Sequence, residues 1–406
     1  MNHTNVGDPA PTATALTPTS DPTLKVIPQV RSLTASVIRS FDQEISSIPG
    51  ILKLTLGEPD FPTPEFIRQA AVEALSRNRT HYAPNAGTPG LRQAISDYLA
   101  RRRDLHFPAE DIIATEGATE AISSVLTALL HPDAVLLYPT PAFGLYKTMA
   151  KLRGAKAIEL DTSATGFALH PDILEQALRT VQGRDAVLVL NSPSNPTGVT
   201  LDEKQLADLA VVVKRYGVTV VSDEVYAEIT YGTGRAPSIS TFAPERTIVV
   251  DSTSKAFAMT GWRLGYFAAP HALSPLLAKV HQAHVSTAAT FTMDAAQAAY
   301  ERGDDEIERM VEQYRLRRDF LLGELTDMGL TVVPPTGAFF LYAQVPDHFA
   351  GSGYEYARLM AQRAKVAGIP GEAFASGPSR YVRLSYAADL PTLGEAANRL
   401  RTFVSE

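Results

Sequence analysis

The segment Asp251-Ser252-Thr253-Ser254-Lys255 lies between a short apolar run, Thr247-Ile248-Val249-Val250, and the segment Gly261-Trp262-Arg263-Leu264-Gly265. The apolar run predicts a buried strand of a parallel sheet. Two serines, a lysine and an arginine therefore follow the carboxyl end of a strand, which is where open α/β sheets bind ligands. The lysine could form an imine with an aldehyde, and Ser252, Ser254 and Arg263 could bind a phosphate. A single Ser-x-Ser-Lys match is weak evidence, because most such matches are surface loops.

The composition indicates a globular protein and excludes several kinds of site. The chain has 406 residues, of which 45% are hydrophobic and 20% are charged, and this length predicts two to three domains of about 150 residues. Because the chain has no cysteine, disulfides, thiol nucleophiles and cysteine zinc sites are excluded. His281 and His284 share a predicted helix face, but no third ligand accompanies them, so we expect no metal site.

The charge pattern and the hydropathy argue against nucleic-acid and membrane partners. The net charge is −7 with both signs scattered along the chain, and the run Arg101-Arg102-Arg103 is short enough to be a solvated helix end. No apolar run is long enough to span a bilayer. The first residues lack the basic start and apolar block of a secretory signal, so we expect a cytoplasmic protein.

The order of predicted elements indicates an α/β protein with a second, smaller domain. Residues 1–22 are rich in Pro, Thr, Asp and Ala, which predicts a disordered tail. From about residue 110 to 270 strands alternate with helices, so residues 57–295 are predicted to form a large domain in which helices enclose a mostly parallel sheet. Residues 23–56, together with 296–406, are predicted to form the small α+β domain. Within the large domain, Thr200 and Glu203 predict a capping box at the start of a helix.

Polar or aromatic residues follow the carboxyl ends of four further predicted strands. The strands are 112–115, 135–138, 187–190 and 218–221, and they are followed in turn by Gly117-Ala118-Thr119, by Phe143, by Asn195, and by Asp223 with Tyr226. Each of these residues alone has a structural explanation, as a helix N-terminus, a packing aromatic, a turn residue or an N-cap. Their recurrence at one edge of one sheet predicts a shared ligand site. Gly57, in a proline-rich loop, is suited to a backbone that approaches a ligand closely, and on this segment alone a simple turn glycine is an equal alternative.

Taken in order, these segments resemble the fold-type I pyridoxal-phosphate aminotransferases of class I/II, and the resemblance covers nearly the whole chain after the tail. The matching segments are Gly57-Glu58-Pro59-Asp60-Phe61, Tyr82-Ala83-Pro84, Gly117-Ala118-Thr119, Asn195-Pro196-Thr197-Gly198, Ser222-Asp223-Glu224-Val225-Tyr226, Ser252-Thr253-Ser254-Lys255, Gly261-Trp262-Arg263-Leu264-Gly265 and Val382-Arg383-Leu384-Ser385.

The resemblance implies pyridoxal 5'-phosphate as the cofactor and assigns residues to it. Lys255 resembles the imine-forming lysine, and Asp223 resembles the partner of the pyridine nitrogen. Tyr226 and Asn195 would hydrogen-bond the phenolic oxygen of the ring, and Phe143 would stack on it. The implied phosphate ligands are the residues Ser252, Ser254 and Arg263 with the backbone of Gly117, Ala118 and Thr119.

The resemblance also implies a substrate site and a partner subunit. Arg383 resembles the guanidinium that binds the α-carboxylate of the substrate, with help from Asn195 and the backbone at Gly57. Tyr82 resembles a residue that reaches the phosphate in the neighbouring subunit, which implies a homodimer. The implied activity is transfer of an amino group from an L-amino acid to a 2-oxo acid through a PLP/PMP ping-pong cycle.

Several alternatives stay open. A C–S β-lyase or a decarboxylase on the same fold would use the same lysine and aspartate. A gene regulator carrying this fold would need a basic DNA-binding domain in front, and a nucleotide-binding Rossmann protein would need a Gly-x-Gly-x-x-Gly turn, which is not found. The amino donor is of the aspartate, aromatic or N-acetyl-diaminopimelate type, with 2-oxoglutarate as the implied acceptor. Thr119 stands where some aspartate-specific relatives have a lysine, which places a strict aspartate preference in doubt.

Overall fold

The structure is a computed structural model that describes residues 21–232 and 234–405. The predicted disordered tail, residues 1–22, lies outside the described residues except for its last two positions. The α-helices are α1 Pro28–Arg31, α2 Val37–Ile45, α3 Glu65–Ser76, α4 Pro89–Arg103, α5 Gly117–Leu129, α6 Leu145–Arg153, α7 Pro171–Thr180, α8 Glu203–Tyr216, α9 Thr253–Ala256, α10 Ser274–Val285, α11 Thr290–Arg302, α12 Asp304–Asp327, α13 Gly353–Arg363 and α14 Leu390–Ser405. The strands are β1 Leu52–Lys53, β2 Ile112–Thr115, β3 Val135–Thr140, β4 Lys156–Asp161, β5 Ala186–Asn191, β6 Thr219–Asp223, β7 Thr247–Ser252, β8 Gly265–Ala268, β9 Val332–Val333, β10 Phe340–Gln344, β11 Val366–Ala367, β12 Ile369–Pro370 and β13 Tyr381–Ser385.

The larger sheet has seven strands in the order β2-β8-β7-β6-β5-β3-β4. The neighbours β4, β3, β5, β6 and β7 run parallel, whereas β8 is antiparallel to both β7 and β2. Because β2 and β7 are each antiparallel to β8, they run parallel to one another. The carboxyl ends of β2, β3, β5, β6 and β7 therefore meet at one edge of the sheet, and the predicted α/β class is confirmed.

Helices cover both faces of this sheet because successive side chains of a strand point to opposite sides. On one face, Val189 of β5 packs in a core with Ile122 and Val125 of α5. On the other face, Leu188 packs in a core with Leu209 of α8. Strands that are buried on both faces are continuous apolar runs, so the sequence predicts these strands even though apolar and polar residues do not alternate along them.

A second, four-stranded sheet has the order β12-β13-β10-β9 and is antiparallel, while β1 pairs in parallel with β11. One hydrophobic core joins Phe41 of α2 and Leu54 to Leu321 of α12, Leu384 of β13 and Phe403 of α14. The N-terminal segment thus packs with the C-terminal third of the chain. The division into a large domain, 57–295, and a small one, 23–56 with 296–406, stays a proposal that this shared core supports.

The predicted capping box was wrong by two residues. The N-cap of α8 is Asp202, whose side chain accepts from the Gln205 amide at 2.8 Å, while the Gln205 side chain accepts from the Asp202 amide at 2.9 Å. The Thr200 amide instead donates to the Thr336 hydroxyl at 2.9 Å. A carboxylate is a strong N-cap and also favours the positive end of the helix dipole, so Asp202 outcompetes the threonine.

In the part of the chain that the structure describes, none of the helices combines the length and apolar character needed to cross a membrane. The same residues contain no group of three or more side chains that could hold a metal ion.

Candidate active site

A cavity of about 760 Å³ lies at the carboxyl edge of the larger sheet and reaches across to the smaller one. Its volume is that of a small-molecule site. Every residue predicted for the site lines it, except Gly117 and Tyr82. The lining residues from the prediction are Gly57, Ala118, Thr119, Phe143, Asn195, Asp223, Tyr226, Ser252, Ser254, Lys255, Arg263 and Arg383.

One end of the cavity is built to receive an anion. Gly117 begins α5 with φ +77°, and a Cβ at this position would lie 2.5 Å from Nη2 of Arg263. Only glycine therefore allows the guanidinium to lie against this corner. The first turn of α5 presents backbone N–H groups without helical acceptors, at the positive end of the helix dipole. Ser252, the last residue of β7, and Ser254, in α9, line the same cavity and add hydroxyl donors.

Asp223, the last residue of β6, is buried and held by two donors. The Tyr146 hydroxyl donates to Oδ2 at 2.6 Å, and the Val225 amide lies 3.4 Å from Oδ1. Burial raises the pKa of Asp223 to about 6, against the effect of these hydrogen bonds. A cationic group in the cavity would offset the cost of burial and keep the carboxylate ionised.

Lys255 follows β7 in the short helix α9 and points into the cavity. Its Nζ donates to the carbonyl oxygen of Gly57 at 2.6 Å. Burial lowers the pKa of Lys255 to about 8, and the positive charges of Arg383 and Arg263 act in the same direction. A lysine with this pKa is partly neutral near pH 7 and can act as a nucleophile or base.

Arg383, in the middle of β13, is only 3% exposed and is held by the rest of the site. Nη1 donates to Oδ1 of Asn195 and Nη2 to the carbonyl oxygen of Thr55, both at 2.8 Å. Its Nε has no partner in the described structure, and burial lowers the pKa of Arg383 to about 10. The guanidinium lies over the ring of Phe340, 4.3 Å from the centroid. A buried, unpaired guanidinium of this kind is a site for a carboxylate.

Two aromatic residues complete the part of the cavity nearest the sheet. Tyr226 is 4% exposed, and its ring packs edge-on against Phe339 and Phe340. Burial raises the pKa of Tyr226, so its hydroxyl stays a donor near neutral pH. Phe143 meets Tyr146 edge-on, with the ring centroids 6.0 Å apart.

Comparison with known proteins agrees with this geometry. The family model for aminotransferase class I and II matches residues 49–400.

The chain belongs to the class I and II aminotransferases.

Three relatives of this aminotransferase differ in what their names say they act on. A probable N-acetyl-LL-diaminopimelate aminotransferase of Bacillus subtilis is 38% identical over 93% of this chain and 95% of its own. An aromatic-amino-acid aminotransferase of Thermococcus litoralis is 35% identical over 91% of this chain and 96% of its own. The structure of the Thermus thermophilus aspartate aminotransferase with maleate superposes with a TM-score of 0.87 and 32% identity, covering 93% of this chain and 99% of that one.

Class I and II aminotransferases use pyridoxal 5'-phosphate, and the residues present here fit that group. The corner at Gly117 and Arg263 with the two serines suits its phosphate, and the buried carboxylate of Asp223 suits a protonated ring nitrogen. Lys255 has the pKa and the position to meet an aldehyde in the same cavity.

The sequence did not predict two residues, Tyr146 and Asn191, that hydrogen-bond Asp223. Tyr146 lies three positions after Phe143, so a second aromatic at the same strand end was the available signal. Asn191, the last residue of β5, donates from Nδ2 to the Asp223 carbonyl oxygen at 2.9 Å and accepts from the Asn195 amide at 2.8 Å. Such an amide ties two neighbouring strand ends together.

Sequence reasoning also missed the wall opposite the sheet, which comes from α2. The wall residues are Ile38, Arg39, Asp42, Gln43 and Ser46. Asp42 is paired with Lys53 at 2.9 Å, whereas in the described residues no carboxylate lies within ion-pair distance of Arg39. No motif marks this helix.

Tyr82 does not reach the cavity of its own chain. It lies in the loop before α4 with 91% of its surface exposed.

Proposed function

We propose that this aminotransferase moves an amino group from an L-amino acid to a 2-oxo acid in a ping-pong cycle. The observation that carries the proposal is the convergence of Lys255, Asp223 and Arg383 on one cavity. Lys255, in α9 after β7, supplies an amine; Asp223, at the end of β6, supplies a carboxylate; and Arg383, in β13, supplies a guanidinium. These are the groups that bind, deprotonate and reprotonate an amino acid.

Arg383 orients the substrate. Its guanidinium offers donors toward the cavity while Asn195 and Thr55 hold it from behind at 2.8 Å. Two parallel N–H···O bonds to the α-carboxylate fix the plane of that group and so place Cα over the cofactor site. Because the guanidinium is buried, water does not screen its attraction to the substrate carboxylate.

Lys255 moves the proton. With a substrate bound by Arg383, the amine of Lys255 would take the proton from Cα of the substrate and would return a proton later in the transfer. A pKa lowered to about 8 makes this amine available near neutral pH.

Other residues hold the cofactor in its reactive charge state. When bound, pyridoxal phosphate supplies an electron-accepting ring for the pair left behind at Cα. Asp223 would hold a proton at the ring nitrogen, and Tyr226 and Asn195 would donate hydrogen bonds to the ring oxygen. The hydroxyls of Ser252 and Ser254, the Arg263 guanidinium and the α5 amides bind the phosphate.

We propose 2-oxoglutarate and glutamate as one substrate pair, with a donor of the aspartate, aromatic or N-acetyl-diaminopimelate type. The names of the relatives support this range, and the Thermus enzyme is described with maleate, a dicarboxylate. Thr119 offers no positive charge to a second carboxylate. Arg39, on the α2 wall, is the lining cation with neither an ion pair in the described chain nor another assigned role.

We also propose that the enzyme is a homodimer in which Tyr82 enters the active site of the partner subunit. A phenol that is 91% exposed supports this, as does a second cavity of about 470 Å³ beside Arg263, lined by Trp262 and Phe291 among others. Mixing the inactive variants Lys255→Ala and Tyr82→Ala tests the arrangement. In a mixed dimer one site would have both residues, so activity should return; no return would contradict a shared site.

A panel of amino donors with 2-oxoglutarate tests the function. Glutamate and the matching 2-oxo acid should form in equal amounts, and the kinetics should be ping-pong. Ammonia release with pyruvate and without glutamate would contradict the proposal and indicate a C–S lyase.

A further inference from the structure

His281 of α10 is buried with both ring nitrogens facing acceptors. Its side chain is 0% exposed. Nδ1 lies 3.2 Å from each carboxylate oxygen of Glu120, and Nε2 lies 2.9 Å from the carbonyl oxygen of Asn85. A carboxylate and a carbonyl only accept hydrogen bonds, so each ring nitrogen needs a proton of its own. The contacts therefore require the imidazolium form.

The carboxylate of Glu120 is surrounded by donors. The Glu116 amide donates to Oε2 at 3.2 Å, and the Ser124 hydroxyl donates to Oε1. The Ser124 oxygen lies 2.9 Å from Nδ1 of His284, which serves as its donor. The His281 ring, the Glu116 amide and the Ser124 hydroxyl thus all face this carboxylate, which lies in the first turn of α5 near the positive end of the helix dipole. His281 and Glu120 form a pair in which each side chain has its hydrogen-bond partners within the protein.

The pair connects two parts of the cofactor site. Glu116 is the N-cap of α5 and directly precedes Gly117, where the phosphate corner begins. Asn85 lies three residues after Tyr82, and its side chain donates to the Ser286 carbonyl at 2.5 Å. One hydrogen-bonded path therefore runs from the Tyr82 loop through His281 and Glu120 to the phosphate corner.

We propose that His281, as an imidazolium, is a positioning residue that ties the Tyr82 loop to the phosphate corner and so sets the affinity for the cofactor phosphate. This inference rests on the proposed function of that corner. A neutral imidazole can donate to only one of its two acceptors, so deprotonation breaks the path at Glu120 or at Asn85.

The inference has a defined pH dependence. Burial lowers the pKa of His281, but the hydrogen bond and charge of Glu120, with the Asn85 carbonyl and Glu116, outweigh it and raise the pKa above 6.5. The other titratable group of this cluster on α10 is His284, which faces Ser124. Because the folded pKa is raised, the contribution of the pair is present at pH below 6.5 and is lost as the pH rises through the folded pKa.

The first experiment is a histidine-selective ¹⁵N NMR spectrum of the holoenzyme. The signal missing from His281→Gln identifies the residue. At neutral pH both of its ring nitrogens should carry protons. The spectrum of a neutral imidazole would overturn the inference. This measurement does not depend on enzyme activity.

The second experiment measures the dissociation constants of pyridoxamine 5'-phosphate and of pyridoxamine between pH 6 and 9. The amine form avoids covalent reaction with Lys255. His281→Gln should weaken binding of the phosphorylated form about tenfold at neutral pH, the effect expected for a lost charged hydrogen bond. The wild-type enzyme should lose the same factor at alkaline pH. Subtracting the pH profile of His281→Gln from that of the wild-type enzyme removes the titrations that the two proteins share, such as that of Lys255.

Glu120→Gln provides a second variant that keeps the path without the charge. Its amide can donate to Nδ1 of a neutral His281 while Nε2–H still donates to Asn85. Binding should persist and the alkaline loss attributed to His281 should disappear; a full alkaline loss in this variant would overturn the inference. The control His131→Gln removes an exposed histidine that pairs with Asp185 at 3.0 Å, and it should change nothing.

Two results distinguish the role of the phosphate corner from the role of His281. If wild-type enzyme does not prefer the phosphorylated form, the assignment of the phosphate corner is wrong. If it does, and His281→Gln binds like wild type at every pH, only the inference about His281 is wrong.

Discussion

The two sides of the active-site cavity are built in opposite ways. On the sheet side, Asp223 and Ser252 are buried and hydrogen-bonded. On the α2 side, Arg39 is exposed and in the described chain has no ion pair. We propose that the buried groups hold the cofactor and move the proton, whereas the exposed groups can differ with the substrate. On this proposal the sheet side sets the reaction type, and α2 sets the choice of amino donor.

Lys255→Ala should have the largest effect. Removing the amine that is proposed to move the proton should lower kcat about ten-thousandfold, the upper range for a general acid or base. Steady-state rates and the visible absorbance of the cofactor complex measure this. Thermal melting is the control, because loss of a buried amine should leave the fold intact. Activity above about 1% of wild type would contradict the role.

Arg383→Lys should come next. Lysine keeps a positive charge but cannot form two parallel hydrogen bonds, so substrate binding should weaken by about 2–5 kcal/mol. The effect should fall on kcat/KM for every donor alike, because all carry an α-carboxylate. Unchanged kcat/KM would remove Arg383 from the substrate site.

Tyr146→Phe should have a smaller effect and one with a distinct pH signature. Loss of the 2.6 Å hydrogen bond to Asp223 raises the pKa of that carboxyl further above its ordinary value. The acidic limb of the kcat/KM profile should therefore move to higher pH, with about tenfold loss at neutral pH. A purely structural tyrosine would lower stability without moving the limb.

Arg39→Gln should have the smallest effect and the most selective one. An exposed charge contributes about 1 kcal/mol at most, so kcat/KM should fall about fivefold for dicarboxylic substrates only. Aromatic donors should be unaffected. Arg31→Gln, on the neighbouring helix α1 but outside the cavity lining, is the matched control. An equal loss of kcat/KM for dicarboxylic and aromatic substrates would contradict a role of the α2 wall in donor choice.

The sequence predicts the sheet side well for a physical reason. Ligand-binding residues after parallel strands are brought together by the topology itself, so Asp223, Asn195 and Lys255 could be placed without knowing any side-chain contact. The buried runs of β5 and β6 predict their strands equally well.

What could not be predicted depends on tertiary contacts. The sequence predicts a helix from about Leu33, and the structure begins it at Val37. The sequence predicts another helix up to about Val366, but the structure ends it at Arg363, because Val366 and Ala367 pair with β1. Tyr146 contacts Asp223 from α6 and Asn191 contacts it from β5, so neither contact can be read from the segment around Asp223. An amphipathic helix such as α2 does not reveal which element it faces.

Cofactor spectroscopy of a half-reaction tests the central claim most directly. Purified enzyme with pyridoxal 5'-phosphate should show visible absorbance that amino donor abolishes and 2-oxoglutarate restores, with no acceptor present in the first step. Lys255→Ala should show neither change under the same conditions. If the wild-type enzyme does not bind the cofactor, or if the donor leaves its spectrum unchanged, the convergence of Lys255, Asp223 and Arg383 does not serve amino transfer.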